Sequence, residues 1–332
     1  MRLAQPDFES LFLSDTHWID VRSPIEFFAG KIPGAVNRPL LTDDERHDIG
    51  LTFRQQGQDA AIELGHKRVS GDVKETRVRL WLDELEVYPQ SVVYCFRGGL
   101  RSQVVQTWLK DRGIERPIIE GGYKALRRYL IDALERCAHE MHFHVVSGPT
   151  GSGKTDYLHS SGRPFVDLEA IASHRGSAFG ANGTQPNQVD FENMLALKLM
   201  RLQKIGEAVL IEDESLRIGQ CAIPKNLYQK MQSSPKIQIE IDFDVRIENI
   251  FRDYVLNSKL GLRGDPEQFQ DFRRSVHAIS RKLGGLRTQE ILNDLAFSQG
   301  EFAAGHGLDS NRVWIGKLMR WYYDPLYIRA LA

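Results

Sequence analysis

HFHVVSGPTGSGKT, residues 142–155, carries an apolar β-branched run into a glycine-rich turn that closes on Lys-Thr. The run reads as a strand and the stretch after the turn as a helix, so GPTGSGKT (148–155) meets the pattern G-x-x-x-x-G-K-[ST] in the context its chemistry needs. Gly148, Gly151 and Gly153 let the backbone, with Ser152, wrap a diphosphate. Lys154 balances the charge, and the Thr155 hydroxyl reaches a Mg2+ ion that accompanies the diphosphate. Such a loop recognises a diphosphate, and the group attached to it need not be a nucleoside. No further cofactor follows from it, and no resident metal is fixed.

Downstream, FVDLE, AVLIEDE and KIQIEIDF read as more strands, interleaved with helices such as 191–206, and beyond Asp244 the pattern turns helical. Glu212, Asp213 and Glu214 follow an apolar strand, where a carboxylate orients metal-bound water; any of the three could serve. Upstream, WIDV (18–21), AVNRPL (35–40), SVVYC (91–95) and PIIEG (117–121) alternate with helical stretches, which suggests another parallel α/β sheet. A helix over 125–141 ends that part. The expected division is 1–139 and 140–332, an α/β unit followed by a P-loop α/β unit with a helical C-terminal extension.

VVYCFRGGLRSQ (92–103) places one of three cysteines between a strand and a helix. The loop aims backbone N–H groups inward beside the positive end of the helix dipole, a setting that favours an anion and a thiolate. Cys95 is thus the candidate nucleophile, supported by Arg97 or Arg101, with Gly98 and Gly99 giving backbone freedom and Ser102 following. Cys137, on a helical stretch, and Cys221, near a turn, read as structural. With an odd cysteine count and no Cys-x-x-Cys pair, neither a disulfide framework nor a cysteine-built zinc site is expected. His139, His142 and His144 in HEMHFH alternate along a strand without thiol partners, and packing explains them better than zinc.

The 332 residues hold 43 basic and 44 acidic side chains, so a nucleic acid would be gripped by local patches rather than by a global field. No apolar run of spanning length occurs, and the expectation is a soluble cytoplasmic protein without a membrane partner. Basic pairs stand at Arg127–Arg128, Arg273–Arg274, Arg281–Lys282 and Lys317/Arg320; Tyr322 and Tyr323 could stack on a base. His174, Arg175 and Ser177, with Phe179, form a polar, glycine-flanked loop that suits a substrate-facing element.

DVRSPIEFFAGKIPGAVNRPL (20–40), with its Asp-x-Arg and Glu26, and the downstream cysteine loop together resemble the rhodanese fold, shared by sulfurtransferases and cell-cycle dual-specificity phosphatases. Cys95, Arg101 and Ser102 also match the Cys-x5-Arg-Ser of cysteine phosphatases. The whole chain resembles the bacterial tRNA 2-selenouridine synthase family. That resemblance rests on DDERHDIG (43–50), QQGQDAAIELGHKRVSG (55–71), CFRGGLRS, EGGYKALR (120–127), GPTGSGKT, DLEAIASHRGSAFG (167–180), FEN (191–193), IEDESLRIG (211–219) and YYDPLY (322–327). It implies a two-step change at the wobble uridine, position 34, of lysine, glutamate and glutamine tRNAs. Geranyl diphosphate alkylates the 2-thio group, and selenium from selenophosphate then replaces the geranylated sulfur. On that implication the phosphate loop holds the diphosphate, and Cys95 attacks selenium and carries it as a selenyl adduct. Two other readings fit the loops: a cysteine phosphatase fused to a kinase-like NTPase, and a nucleotide-gated RNA-binding adaptor. The oligomeric state is not legible in the sequence.

Overall fold

A computed structural model describes residues 2–14, 16–174, 184–257 and 266–331. It is α/β with parallel sheets and falls into two compact units.

The first unit carries a parallel sheet of β1 (Arg2–Leu3), β2 (Trp18–Asp20), β3 (Ala35–Asn37), β4 (Val92–Tyr94) and β5 (Ile118–Ile119) in the order β1-β5-β4-β2-β3. β2 and β4 are buried along their whole length, which is why WID and VVY lack the polar alternation of a one-faced strand. Registers Ile19–Val93 and Asp20–Tyr94 bring the carboxyl ends of β2 and β4 level. The segments leaving them therefore emerge at one edge of the sheet, where α/β folds place ligands. Ile19, Val93, Trp81, Trp108 and Leu109 form the core of this unit, with the Trp81 and Trp108 rings stacked 6.1 Å apart.

This unit comprises Met1–Cys137 together with Asn187–Arg201, so a linear division at 139/140 misses a return of the chain. The returning helix, Gln188–Gln203, supplies Asp190, whose Oδ1 accepts from Lys31 N–H at 2.8 Å. It also supplies buried Asn193, which donates to Lys31 O at 2.7 Å and accepts from Arg127 at 2.8 Å. Polar side chains of this helix here satisfy backbone groups over 150 residues earlier in sequence.

The second unit, Ala138–Pro186 with Leu202–Ala332, holds β6 (Phe143–Ser147), β7 (Phe165–Val166), β8 (Val209–Glu212), an antiparallel ribbon of β9 (Arg217–Ile218) and β10 (Cys221–Ala222), and β11 (Lys236–Gln238). Its main sheet is parallel, in the order β11-β6-β8-β7. Two of this unit's expected strands are cut to three residues or fewer. FVDLE is strand only over Phe165–Val166, because Asp167 accepts from Ala170 N–H at 2.7 Å and starts the helix Leu168–Ala172. KIQIEIDF pairs only over Lys236–Gln238, on the sheet's edge.

The C-terminal part is helical as expected. Pro266–Leu283 buries Phe269, Phe272, Val276, Ile279 and Leu283, spaced three and four residues apart, against Ile291, Leu295, Trp314 and Ile315 from the helices Gly285–Ala303 and Asn311–Leu318. Among the described residues no helix is long and apolar enough to cross a membrane.

Candidate functional site

In the first unit the chain leaves β4 through Cys95, Phe96, Arg97 and Gly98, with Gly99 preceding the helix Leu100–Lys110. The turn is knitted to the segment after β5: Tyr123 N–H donates to Cys95 O at 2.8 Å and Lys124 N–H to Phe96 O at 3.0 Å. That contact leaves no room for side chains. A Cβ on Gly98, at φ +64°, would collide with Ile119 O; one on Gly122, at φ +57°, would collide with Cys95 O. The glycines of FRGGL and EGGYK thus answer one another across the loop.

Cys95 is 3% exposed, and its Sγ lies 3.2 Å from Ser102 Oγ. It is not sealed in hydrocarbon, because it lines a cavity of about 820 Å3. The two arginines differ in availability. Arg101 is held by Glu26 through contacts of 2.6 and 3.1 Å, and Arg46 approaches the same carboxylate at 3.4 Å. Burial opposes the charge on Glu26, but Arg101, the Ser23 N–H and Arg46 together keep its carboxyl below the usual range. Arg97 is exposed, its guanidinium 5.8 Å from the Phe96 ring centroid, and it makes no ion pair among the described residues. Arg97 is therefore the cation open to an anion in this loop. A cysteine phosphatase would keep its loop arginine open for bidentate phosphate binding; here that position is occupied by Glu26.

The Asp-x-Arg pair is structural. Asp20 and Arg22, both at most 1% exposed, bond to each other at 2.6–3.0 Å, and Arg22 also donates to Gly30 O at 2.7 Å. The Arg22 guanidinium lies 3.8 Å from the Tyr123 ring centroid, which ties the β2 edge to the segment bracing the cysteine loop.

In the second unit the phosphate loop follows β6, with β8 alongside it; Val146 is in register with Glu212. Gly151 and Gly153 have φ of +79° and +78°. A Cβ on Gly151 would stand 2.8 Å from Arg246 O, so its glycine is also demanded by the helix Phe243–Ile250 packed outside. Arg246 donates to Thr150 O at 3.0 Å and pairs with Asp324, and Asn249 donates to Gly151 O at 2.9 Å. Arg246 and Asn249 carry no motif, and Asp324 stands in YYDPLY with nothing in that stretch to announce its partner. Lys154 Nζ rests on Gly148 O at 3.0 Å, and the buried Ser152 Oγ has no hydrogen-bond partner, an orphan polar atom that fits an anion-binding loop.

The three acidic residues at the end of β8 take different partners. Thr155 Oγ1 donates to Glu212 Oε1 at 2.9 Å, whereas Asp213 Oδ2 accepts from Ser147 Oγ at 2.6 Å and from Lys236 at 3.1 Å. Glu212 is the carboxylate beside the loop's threonine. Burial, with Asp167 and Glu214 nearby, pushes its carboxyl up to about 8. Glu169, which sequence reading did not single out, is raised to about 9 by burial and by Glu214 and Glu212. Glu214 is raised to about 7, chiefly by burial. Burial among like charges favours the protonated form of each of these carboxyls.

The remaining candidates are scattered. His174 is half-buried with Nδ1 unpartnered, and burial lowers its pKa; Arg175, Ser177 and Phe179 lie outside the described residues. Among the basic pairs, Arg127 is paired with Glu192, Arg128 with Asp132, Arg274 with Asp271 and Lys317 with Asp294. Arg281, Lys282 and Arg320 are exposed without an ion pair among the described residues, and Arg273 is bonded to Gln299. Tyr322 and Tyr323 meet edge to face beside a helical core, half-buried rather than displayed. Among the histidines, His144 Nδ1 faces Arg163 at 3.2 Å.

Residues 141–332 match the family model described as tRNA 2-selenouridine synthase AAA domain. The tRNA 2-selenouridine synthase of Nitrosomonas europaea is 43% identical, over 98% of this chain and 91% of that protein. Those of Bdellovibrio bacteriovorus, 45% identical over 98% and 92%, and Pseudomonas syringae pv. syringae, 43% over 97% and 90%, are similarly matched. With two loops of this kind, and likeness running the length of both proteins, the chain belongs to the tRNA 2-selenouridine synthase family, a family of enzymes.

Proposed function

We propose that this protein converts 2-thiouridine at the wobble position of lysine, glutamate and glutamine tRNAs into 2-selenouridine. It does so by S-geranylation with geranyl diphosphate followed by exchange of the geranylated sulfur for selenium. Membership of a family whose relatives bear that name supports the overall change, and the coexistence of two anion loops of different chemistry supports two steps. The order β1-β5-β4-β2-β3, with its cysteine loop after the central strand, supports a rhodanese-like reading of the first unit.

In the first step the phosphate loop would bind the diphosphate, with Lys154 and Ser152 against its oxygens, and stabilise the charge that develops as the carbon–oxygen bond breaks. Thr155 and Glu212 offer the hard oxygen donors that Mg2+ takes when it is shared with a diphosphate, so these residues fit that ion. The ion would neutralise charge on the leaving group.

In the second step S-alkylation matters because a thiocarbonyl departs poorly, whereas an alkylated sulfur leaves as a thiolate. Cys95 Sγ bonds to C2 of the base as the bond from C2 to the geranylated sulfur breaks, and geranylthiol leaves with a proton. Selenium of selenophosphate, positioned by Arg97 and the loop, then bonds to C2 as Cys95 departs as thiolate. Water cleaves the phosphorus–selenium bond to give phosphate. Each exchange is redox-neutral. A selenyl adduct on Cys95 would leave phosphorus two electrons reduced and would require a reductant for discharge, so electron balance favours exchange through C2.

The observation that carries the reading is a cysteine next to an open cavity on one unit and a lysine-threonine phosphate loop on the other. The test is mass spectrometry of nucleosides from thiolated tRNA incubated with geranyl diphosphate and selenophosphate, each omitted in turn. Omitting selenophosphate should leave S-geranyl-2-thiouridine. Unchanged 2-thiouridine under all conditions would refute the proposal.

A further inference from the structure

The cavity beside Cys95 is much larger than a tetrahedral oxyanion needs, and most of it is not polar. About 820 Å3 is the size of cavity that buries a whole small molecule. Its far walls are Ile49 and Phe53 from the helix Asp43–Gln56, Ala61 and Ile62 from the helix Gln58–Arg68, and Val104 and Trp108 from the helix that follows the cysteine loop. The charged groups at its floor are already matched: Arg22 by Asp20, Arg101 and Arg46 by Glu26. Arg97 stays open to one anion, and Gln58 and His66 add polar groups to the lining, but apolar side chains make up most of the remaining wall. At the rim, Phe53 and Leu100 are about half exposed, which leaves an apolar lip towards solvent.

We propose that this cavity is the site for the geranyl chain of the S-geranylated wobble base, holding the hydrocarbon among Ile49, Phe53, Ile62 and Trp108 so that C2 of the base faces Cys95. The inference rests on the two-step function proposed for the protein and adds a separate prenyl-binding site for its second step. An uncharged ten-carbon chain suits a mostly apolar wall, where a phosphate would lose hydration without a charged partner. The same wall gives the departing geranylthiol an apolar place to go. Selection of the alkylated base over the unalkylated one is then a property of the first unit itself.

Anticodon stem-loops carrying S-methyl-, S-dimethylallyl- and S-geranyl-2-thiouridine, incubated with selenophosphate and the full chain, provide the test. The wild type should select S-geranyl over S-methyl by about tenfold or more in kcat/KM, within the range a few methylenes give a fitted apolar site. Ala61→Phe, which fills the cavity, should remove that preference while leaving the S-methyl substrate within about threefold. Ala61→Leu, a smaller filling of the same space, serves the same purpose if Ala61→Phe does not fold, as judged by circular dichroism. Equal use of S-methyl and S-geranyl substrates by the wild type, or equal losses on both in a folded variant, would overturn the site. A second readout separates this from failure of the functional reading. S-geranyl-2-thiouridine nucleoside, titrated without selenophosphate, should shift the tryptophan emission saturably in the wild type and not in Ala61→Phe. Binding without any selenation retains the cavity and rejects the chemistry; absence of saturable binding rejects the cavity.

Discussion

Cys95 shows how little of a candidate nucleophile's setting lies in its own neighbourhood along the chain. Its loop was legible because strand, glycines and arginines are contiguous, but Arg97 and Arg101 look alike in sequence, and only the fold pairs Arg101 with Glu26, 75 residues away. Cys95→Ser is expected to abolish selenation while geranylation persists, so that S-geranyl-2-thiouridine accumulates in nucleoside mass spectra. Loss of both steps in a folded variant would count against the division of labour. Gly122 makes a sharper test of packing. Gly122→Ala combines left-handed backbone with a Cβ driven into Cys95 O, whereas Gly113→Ala, at φ +77°, meets nothing within 4 Å. Urea unfolding should show about 1–2 kcal/mol lost at Gly113, the ordinary cost of a left-handed non-glycine residue. The loss at Gly122 should be larger, since the neighbouring backbone cannot yield.

At the level of elements, the turn over 148–155 was legible, because its strand, glycines and helix are consecutive in the chain. Its acidic wall was not. Glu212, Asp213 and Glu214 were equivalent by sequence, and register with β6 chose Glu212 for Thr155 while Asp213 turned to Lys236. The raised carboxyls give a pH dependence with a definite sign. A carboxyl that titrates near 8 when folded and 4.5 when unfolded binds its proton more tightly in the folded state. Its contribution to stability is full below 4.5 and is lost as pH rises towards 8. Glu212→Gln should therefore flatten the fall in melting temperature between pH 5 and 8 in the metal-free protein. An unchanged slope would argue against burial of an uncompensated acid there. Lys154→Ala, by contrast, should stop geranylation while S-geranylated tRNA supplied from outside is still selenated.

For the whole molecule, the two-unit organisation follows from the composition of the chain and its two strand-loop-helix motifs, but the division is not a single cut. The helix that begins at Gln188 returns to the first unit, where Asn193 and Asp190 satisfy Lys31. A fragment of residues 1–139 should accordingly melt below the corresponding transition of the full chain. Asn193→Ala should destabilise by about 1–3 kcal/mol in urea unfolding, the cost of stranding buried polar partners. By itself the sequence determined the α/β class and the two glycine-rich strand-to-helix turns, because backbone periodicity and turn chemistry act over a few consecutive residues. The tertiary structure alone decided which arginine stays open, which carboxylate meets Thr155, which later helix belongs to the first unit and that a largely apolar cavity opens beside Cys95. Those are matters of packing and register between segments far apart in the chain, and local pattern carries no record of distance through space.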